Sequence, residues 1–284
     1  MGLAMEKQII TGSQWIAHCD STKSITELLI PGTHDTMTAD CEARYYRTQT
    51  LSLQQQLQIG VRFLDIRLRK EMVAAHREWI SNISAEQIFE KCGRFLQQNP
   101  QEFILMRIQN ANEHKDDFPQ YGEALIDKIR SFSSLFYQWE ETENKADTPF
   151  WPTIEQAAGK IIALECSPPV MNFKQFDNKI WAANWHDNPY IELQDLWDAP
   201  PLKEKELAIS ELIAQSVYLP QRHLILNHIS ATNGELGFPD AYANHLNPYT
   251  AQLWQQAPKG IRGVQIYDFI TENLSRQLLE LNFR

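Results

Sequence analysis

Residues 54–68 read QQQLQIGVRFLDIRL. A glutamine-rich stretch ends at Gly60, and an apolar run follows that carries Asp65 and Arg67 near its close. Glycine often sits just past a helix end, because it enters the left-handed turn without steric cost. The run after it is near-continuous in Val, Phe, Leu and Ile, the mark of a strand buried on both faces. The unit is therefore helix, turn, buried strand, and the rest of the chain repeats it. Comparable runs are TELLI (26–30), MVAA (72–75), FILMRI (103–108), KIIALE (160–165), KIWAANW (179–185), HLILNHI (223–229) and GVQIYDF (263–269).

Helix signals lie between the runs. Ser84 with Gln87 makes a capping box, Ile88, Phe89, Cys92, Phe95 and Leu96 follow at helical spacing, and Asn99-Pro100 ends the segment. Thr153 with Gln156 repeats the box ahead of Gly159. Strand and helix alternating to eight strands predict an α/β fold, a distorted or incomplete (β/α)8 TIM barrel. The distortion is expected where Arg67 to Met72 is too short for a helix, so that a hairpin-like turn joins those two runs, and at 231–250, which reads as a long rim loop. With 284 residues and 43% hydrophobic content, the chain can fill one such barrel, so a single domain over 1–284 is expected, with 1–25 as a lead-in segment.

The net charge of −10, with Lys and Arg scattered, argues against nucleic acid as a partner and against membrane attachment by charge. Cys19, Cys41, Cys92 and Cys166 have neither zinc-ligand nor thioredoxin spacing. No run of apolar residues is long enough to span a bilayer. The opening MGLAMEKQIITGSQW does not read as a secretion leader, and Glu6 stands where a myristoylation signal takes Ser or Thr.

In a barrel of this kind chemistry sits at the C-terminal ends of the strands. Those positions hold His34 and Asp35, Asp65 and Arg67, His76, Asn227 and His228, and Asp268. Taken singly, each has an ordinary explanation: a loop histidine, a structural Asp–Arg pair, a packed His228. Taken together they suit phosphodiester chemistry. One histidine takes a proton from an attacking hydroxyl and another gives one to the leaving oxygen. A carboxylate on the far ring nitrogen fixes the tautomer, and an arginine fork binds the phosphate. Asp35, Asp65 and His76 could instead hold a divalent ion. Arg67, two residues beyond Asp65 on the same strand face, competes for that space and is read as standing in for a metal.

At these residues the sequence resembles the X domain of bacterial phosphatidylinositol-specific phospholipase C. IPGTHDT (30–36) is similar to the first-strand motif of that family and QLQIGVRFLDIRLR (56–69) to its second. VAAHREW (73–79), NPQEFILMRI (99–108), LILNHIS (224–230) and GVQIYDF (263–269) resemble further strands. The resemblance implies a metal-independent phosphodiesterase that cleaves phosphatidylinositol to diacylglycerol and inositol 1,2-cyclic phosphate, with no cofactor. It implies His34 as general base oriented by Asp268, Arg67 on the phosphate, and His76 as general acid assisted by Asp35. Asp65 would hold Arg67 and His76. Calcium-dependent relatives place Asn after the first histidine and an E-x-D pair on strand two; here stand Asp35 and DIR. QDLW resembles the segment that supplies an aspartate and an aromatic ring to the inositol, here Asp195 and Trp197. The family's strand-four lysine and the arginine after strand five are missing. Gln109, Glu165 and Cys166 stand near those places, and Gln109, Glu165 and Asn227 complete the head-group candidates.

Tyr45, Tyr46, Phe238 and Tyr242 are expected on rim loops, suited to transient contact with a membrane surface. The implied protein is a monomer, bacterial, secreted or delivered, with the cytoplasm as the alternative. Two other readings stay open: the same chemistry on a different hydroxyl-bearing phosphodiester lipid, and a non-catalytic lipid- or inositol-binding barrel.

Overall fold

The computed structural model describes residues 10–140, 151–171 and 173–284, so the first nine residues of the lead-in lie outside the described residues. In chain order the strands are β1 (Leu29–Thr33), β2 (Phe63–Leu68), β3 (Val73–His76), β4 (Trp79–Ser84), β5 (Ile104–Asn110), β6 (Trp139–Glu140), β7 (Ile161–Glu165), β8 (Gln175–Phe176), β9 (Lys179–Ile180), β10 (Ala182–Asn184), β11 (Ile191–Gln194), β12 (Leu224–His228) and β13 (Gly263–Tyr267). Eight of them pair in the order β10-β7-β5-β2-β1-β13-β12-β11, every neighbour parallel. This is the distorted (β/α)8 barrel, open between β10 and β11 among the described residues. A small separate sheet has the order β6-β9-β8.

Continuous apolar runs follow from two packing layers. Ile30, Phe63, Leu105, Ile162, Leu164, Leu226, Val264 and Ile266 share the cluster inside the barrel. Leu29, Leu64, Ile66, Ile104, Met106, Ile161 and Ala163 share the other cluster, against the helices. Successive strand residues point to opposite faces, so both sets must be apolar. The helix before β2 is α1 (Leu53–Gln58), capped by Ser52 with Gln55, and Gly60 leaves it at φ +109°. The boxes at Ser84 and Thr153 open α2 (Ala85–Gln98) and α4 (Ile154–Ala157) as expected; α3 (Phe118–Ser131) lies between.

The lead-in plugs the lower end of the barrel. Trp15 is fully buried and donates to the Gly60 carbonyl. Arg62 is fully buried, pairs with Glu102 at 2.8 Å, and donates to the carbonyls of Gly12 and Ser13.

The hairpin-like turn expected between the second and third runs is present, since β3 pairs antiparallel with β2 and β4. Counting that run among the eight barrel strands and the reading of 231–250 need correction. The missing parallel strand is β11, whose IELQ is short and only partly buried, and so carries no continuous apolar signal. The segment 231–250 is not mainly loop, because α6 runs over Pro239–Gln255 with Pro248 inside it. Its partners along the chain are α5 (Leu202–Gln215) and α7 (Glu272–Glu280).

Candidate active site

Side-chain parity decides what enters the barrel mouth. Counting by twos from the inner layer, Ile30 leads to His34, Phe63 to Asp65 and Arg67, and Leu105 to Arg107 and Gln109. Ile162 leads to Cys166, Leu226 to His228, and Ile266 to Asp268. The turn after β1 adds Asp35 by bending. Asp35 takes φ +41°, a costly conformation for a non-glycine residue. Hydrogen bonds hold it there: its N–H donates to Asp65 Oδ2 (3.1 Å), and its carbonyl accepts from Thr38 and Thr48. Gln49 donates to the carbonyls of His34 and Tyr267, 2.8 Å each, tying β1 to β13 beneath the site.

The contacts of the two histidines fix their protons. Arg67 can only donate, and its Nη2 lies 2.8 Å from His34 Nε2. His34 Nε2 therefore accepts, and the ring proton sits on Nδ1, which donates to Asp268 Oδ1 at 2.8 Å. His76 Nδ1 lies 2.7 Å from the Tyr46 carbonyl and must donate to it. His76 Nε2 faces Asp35 Oδ2 at 3.1 Å, an ion-pair distance, while Asp35 Oδ2 has no aligned hydrogen-bond partner. The two rings stand edge to face, centroids 6.5 Å apart.

The charges agree with this assignment. Burial, with Arg67 adding to it, pushes His34 well below its usual range and His76 down to about 3. Burial lifts Asp35 to about 7 against the pull of Arg67, and lifts Asp268 well above the carboxylate range, with Asp35 adding to it. Burial alone would lift Asp65 too, but Arg67 and Arg107 hold it well below the usual range. Asp65 thus stays charged and anchors two guanidiniums.

His34, Asp35 and Asp65 bring ligand atoms within 4.8 Å of one another, a spacing compatible with a metal ion. The Arg67 guanidinium already bridges them, 2.5 Å from Asp35 Oδ1 and 3.0 Å from Asp65 Oδ2. A cation between these carboxylates would have to displace it.

A pocket of about 320 Å³ opens above this set. His34, Arg67, His76 and Asp268 line it on one side, and Gln109, Asp195 and Trp197 also reach it.

The chain is 30% identical over 291 aligned residues to the 1-phosphatidylinositol phosphodiesterase of Listeria monocytogenes, covering 97% of this chain and 87% of that one. The chain belongs to the bacterial phosphatidylinositol-specific phospholipase C family. No family model matches it. The solved structure of the Listeria monocytogenes phosphatidylinositol-specific phospholipase C superposes with a TM-score of 0.84 at 27% identity, over 96% of this chain and 99% of that one. A Staphylococcus aureus phosphatidylinositol-specific phospholipase C superposes at 0.76 with 20% identity, over 95% and 97%, a likeness of fold.

Within this phospholipase C scaffold, two head-group candidates fall outside the pocket. Glu165 is fully buried, salt-bridged to Lys174 at 3.0 Å and bonded to Ser167. Asn227 is fully buried and bonds Gln194 and Gln265. Both are out of phase with the inner layer: Ile161 and Ala163 precede Glu165 on the helix-facing side, and His228, not Asn227, follows Leu226 inward. Asp65 does not touch His76, whose carboxylate partner is Asp35.

Arg107 was hidden inside the apolar run FILMRI, where only the same parity reveals it. It stacks 4.0 Å from the Trp185 ring centroid, donates to Cys166 Sγ (3.3 Å) and to Gln109 Oε1 (3.2 Å), and lies 3.7 Å from Asp65 Oδ1. His228 is packed, as a histidine deep in a barrel usually is: 1% exposed, its ring 5.9 Å from that of His34. Lys205 on α5 is fully buried and donates to the His228 carbonyl at 2.7 Å, tying α5 to β12.

The rim aromatics also need revision. Tyr242 is fully buried, its hydroxyl on the Pro200 carbonyl. Tyr45 packs edge to face on Tyr46 and Phe238. The exposed apolar groups at the mouth are Val170 and Met171 after β7, and Leu196 and Trp197 after β11. No helix among the described residues is long and apolar enough to cross a membrane.

Proposed function

We propose that the protein, acting as one catalytic unit, is a metal-independent phosphodiesterase that cleaves phosphatidylinositol to diacylglycerol and inositol 1,2-cyclic phosphate. The observation that carries this reading is the pair of proton devices facing each other. On one side is an Asp268–His34 relay ending in a lone pair, on the other His76 Nε2 facing the buried Asp35 carboxyl at 3.1 Å.

The substrate phosphate takes N–H groups of Arg67 and frees the lone pair of His34 Nε2. That nitrogen accepts the proton of the inositol 2-hydroxyl while its oxygen bonds to phosphorus. The phosphorus–glycerol oxygen bond breaks. The single proton of the Asp35–His76 pair passes through His76 Nε2 to the departing oxygen, leaving His76 neutral and Asp35 ionised. Because the nucleophile belongs to the substrate, attack is intramolecular and gains effective concentration. Asp268 supports the imidazolium that forms on His34. Cleavage of phosphatidylinositol vesicles with chelator present, and none of phosphatidylcholine, is the expected result. Cleavage that chelator abolishes contradicts the role given to Arg67.

The pH profile of kcat/KM follows from the same groups. The base must be neutral, and His34 titrates well below its usual 6.5, so activity survives into mildly acidic solution. The acid pair must hold its proton, which Asp35 loses as pH rises through about 7. The alkaline limb should therefore fall near neutrality. Asp35→Asn should lower the rate and remove that limb. A limb left in place in the variant would assign it to another group.

We also infer weak membrane contact through Val170, Met171, Leu196 and Trp197. Val170 is 86% exposed on the mouth side and Trp197 41%. Val170→Asp should reduce co-sedimentation with vesicles while leaving turnover of a water-soluble inositol phosphodiester unchanged. Undiminished co-sedimentation rejects this face.

A further inference from the structure

The loop after β1 bridges the barrel mouth from the general acid to the far rim. At the near end the Tyr46 carbonyl accepts the N–H of His76 Nδ1 at 2.7 Å, and the Tyr46 ring stands edge to face on the imidazole, centroids 5.8 Å apart. That contact leaves Nε2 facing Asp35. It also favours a proton on the ring: burial and Arg67 push His76 down to about 3, and the Tyr46 carbonyl opposes them.

The far end is tied to the segment that follows β12. The Tyr45 hydroxyl donates to Asn233 Oδ1, and the Tyr45 ring packs edge to face on Phe238, centroids 6.2 Å apart. Arg44 Nε donates to both oxygens of Asp240, at 3.0 and 3.1 Å, with its guanidinium 4.1 Å from the Phe238 ring centroid.

Asn233 is the hub of the bridge. Its Oδ1 accepts from Tyr45 and its Nδ2 donates to Asp198 Oδ1 at 2.6 Å, so both ends of the amide are used and its orientation is fixed. The backbone there takes φ +62° and is closed by two hydrogen bonds with Gly237, at 2.9 and 3.1 Å. Asp198 follows Trp197, whose carbonyl accepts from the Thr232 N–H at 2.9 Å. One side-chain amide thus joins three loops: the one that sets His76, the one that brings Asp195 and Trp197 to the pocket, and its own. Single hydrogen bonds of this kind add little to stability, whereas a displacement of about 1 Å at a reacting group costs about 10²-fold in rate.

We propose that Asn233 and Tyr45 are positioning residues for the acid step, holding the Tyr46 carbonyl where it fixes the ring of His76. Both act through His76. The inference rests on the phosphodiesterase reading above and adds to it what keeps the acid in place.

The test uses two variants. Tyr45→Phe keeps the ring and removes the hydroxyl. Asn233→Asp keeps the shape and sets a second carboxylate against Asp198. Each is compared with wild type on two soluble substrates, so that membrane contact plays no part: a short-chain phosphatidylinositol below its micelle concentration, and a nitrophenyl inositol phosphate. The first needs the general acid; the second, with its good leaving group, does not. On the short-chain lipid, kcat should fall about fivefold in Tyr45→Phe, the scale of one neutral hydrogen bond, and about tenfold or more in Asn233→Asp. On the nitrophenyl substrate it should stay within about twofold of wild type, with KM unchanged for both. Equal losses on the two substrates would mean a general disturbance of the site and overturn the proposal. No loss on either overturns it too. A rise in KM alone makes Tyr45 a wall of the pocket and rejects the positioning role. If Asn233→Asp does not fold, Tyr45→Phe decides. Wild type that cleaves neither substrate overturns the phosphodiesterase reading itself.

Discussion

His34→Ala and His76→Ala are each expected to lower kcat on phosphatidylinositol by roughly 10²–10⁴-fold, the usual worth of a positioned acid or base. The mechanisms of loss differ. Without His34 the 2-hydroxyl has no acceptor, since Asp268 bonds the far ring nitrogen and sits one ring away. Without His76 the glycerol oxygen must leave as an alkoxide. A substrate with a good leaving group, such as a nitrophenyl inositol phosphate, should therefore rescue His76→Ala and not His34→Ala. Rescue of both, or of neither, would overturn the assignment of base and acid. The double variant should lose less than the product of the single losses, because the two groups serve one reaction event.

Arg67→Lys is expected to lower kcat by about 10²–10³-fold, the scale of losing an oriented donor to a developing charge. The side chain bonds Asp35, Asp65 and His34 at once. A planar fork can do this, and a single ammonium cannot. Lysine keeps the charge, so Asp65 stays paired and folding is preserved. A variant within a few-fold of wild type would show that the fork is dispensable and that only charge matters.

Much of this architecture was legible because two physical signals coincide. Runs of apolar residues without alternation marked the strands buried on both faces, and the boxes at Ser84 and Thr153 marked helix starts. GTHDT was legible as a site because a Pro-Gly strand ending in His-Asp has no packing purpose. What failed has equally local causes. β11 is short and partly exposed, so it looks like loop. The hairpin strand β3 has the apolar look of a barrel strand but too short a connection to β2, and its antiparallel pairing follows. Pro248 and the polar surface of α6 masked a helix.

The head-group residues failed for a different reason. Position at a strand end does not say which face a side chain takes. Glu165 and Asn227 stand one step out of phase with the inner layer, and Arg107 stands in phase with Leu105. A count by twos along each run, with Phe63, Leu105, Ile162, Leu226 and Ile266 as references, would have sorted all three.

Phosphorus NMR of phosphatidylinositol micelles turned over by the protein in chelator tests the central claim most directly. The account predicts that the first product is a five-membered cyclic phosphodiester, formed without metal and converted only slowly to the monoester. Inositol 1-phosphate appearing from the outset, with no cyclic signal before it, would mean that water and not the inositol hydroxyl attacks, and would contradict the role given to His34.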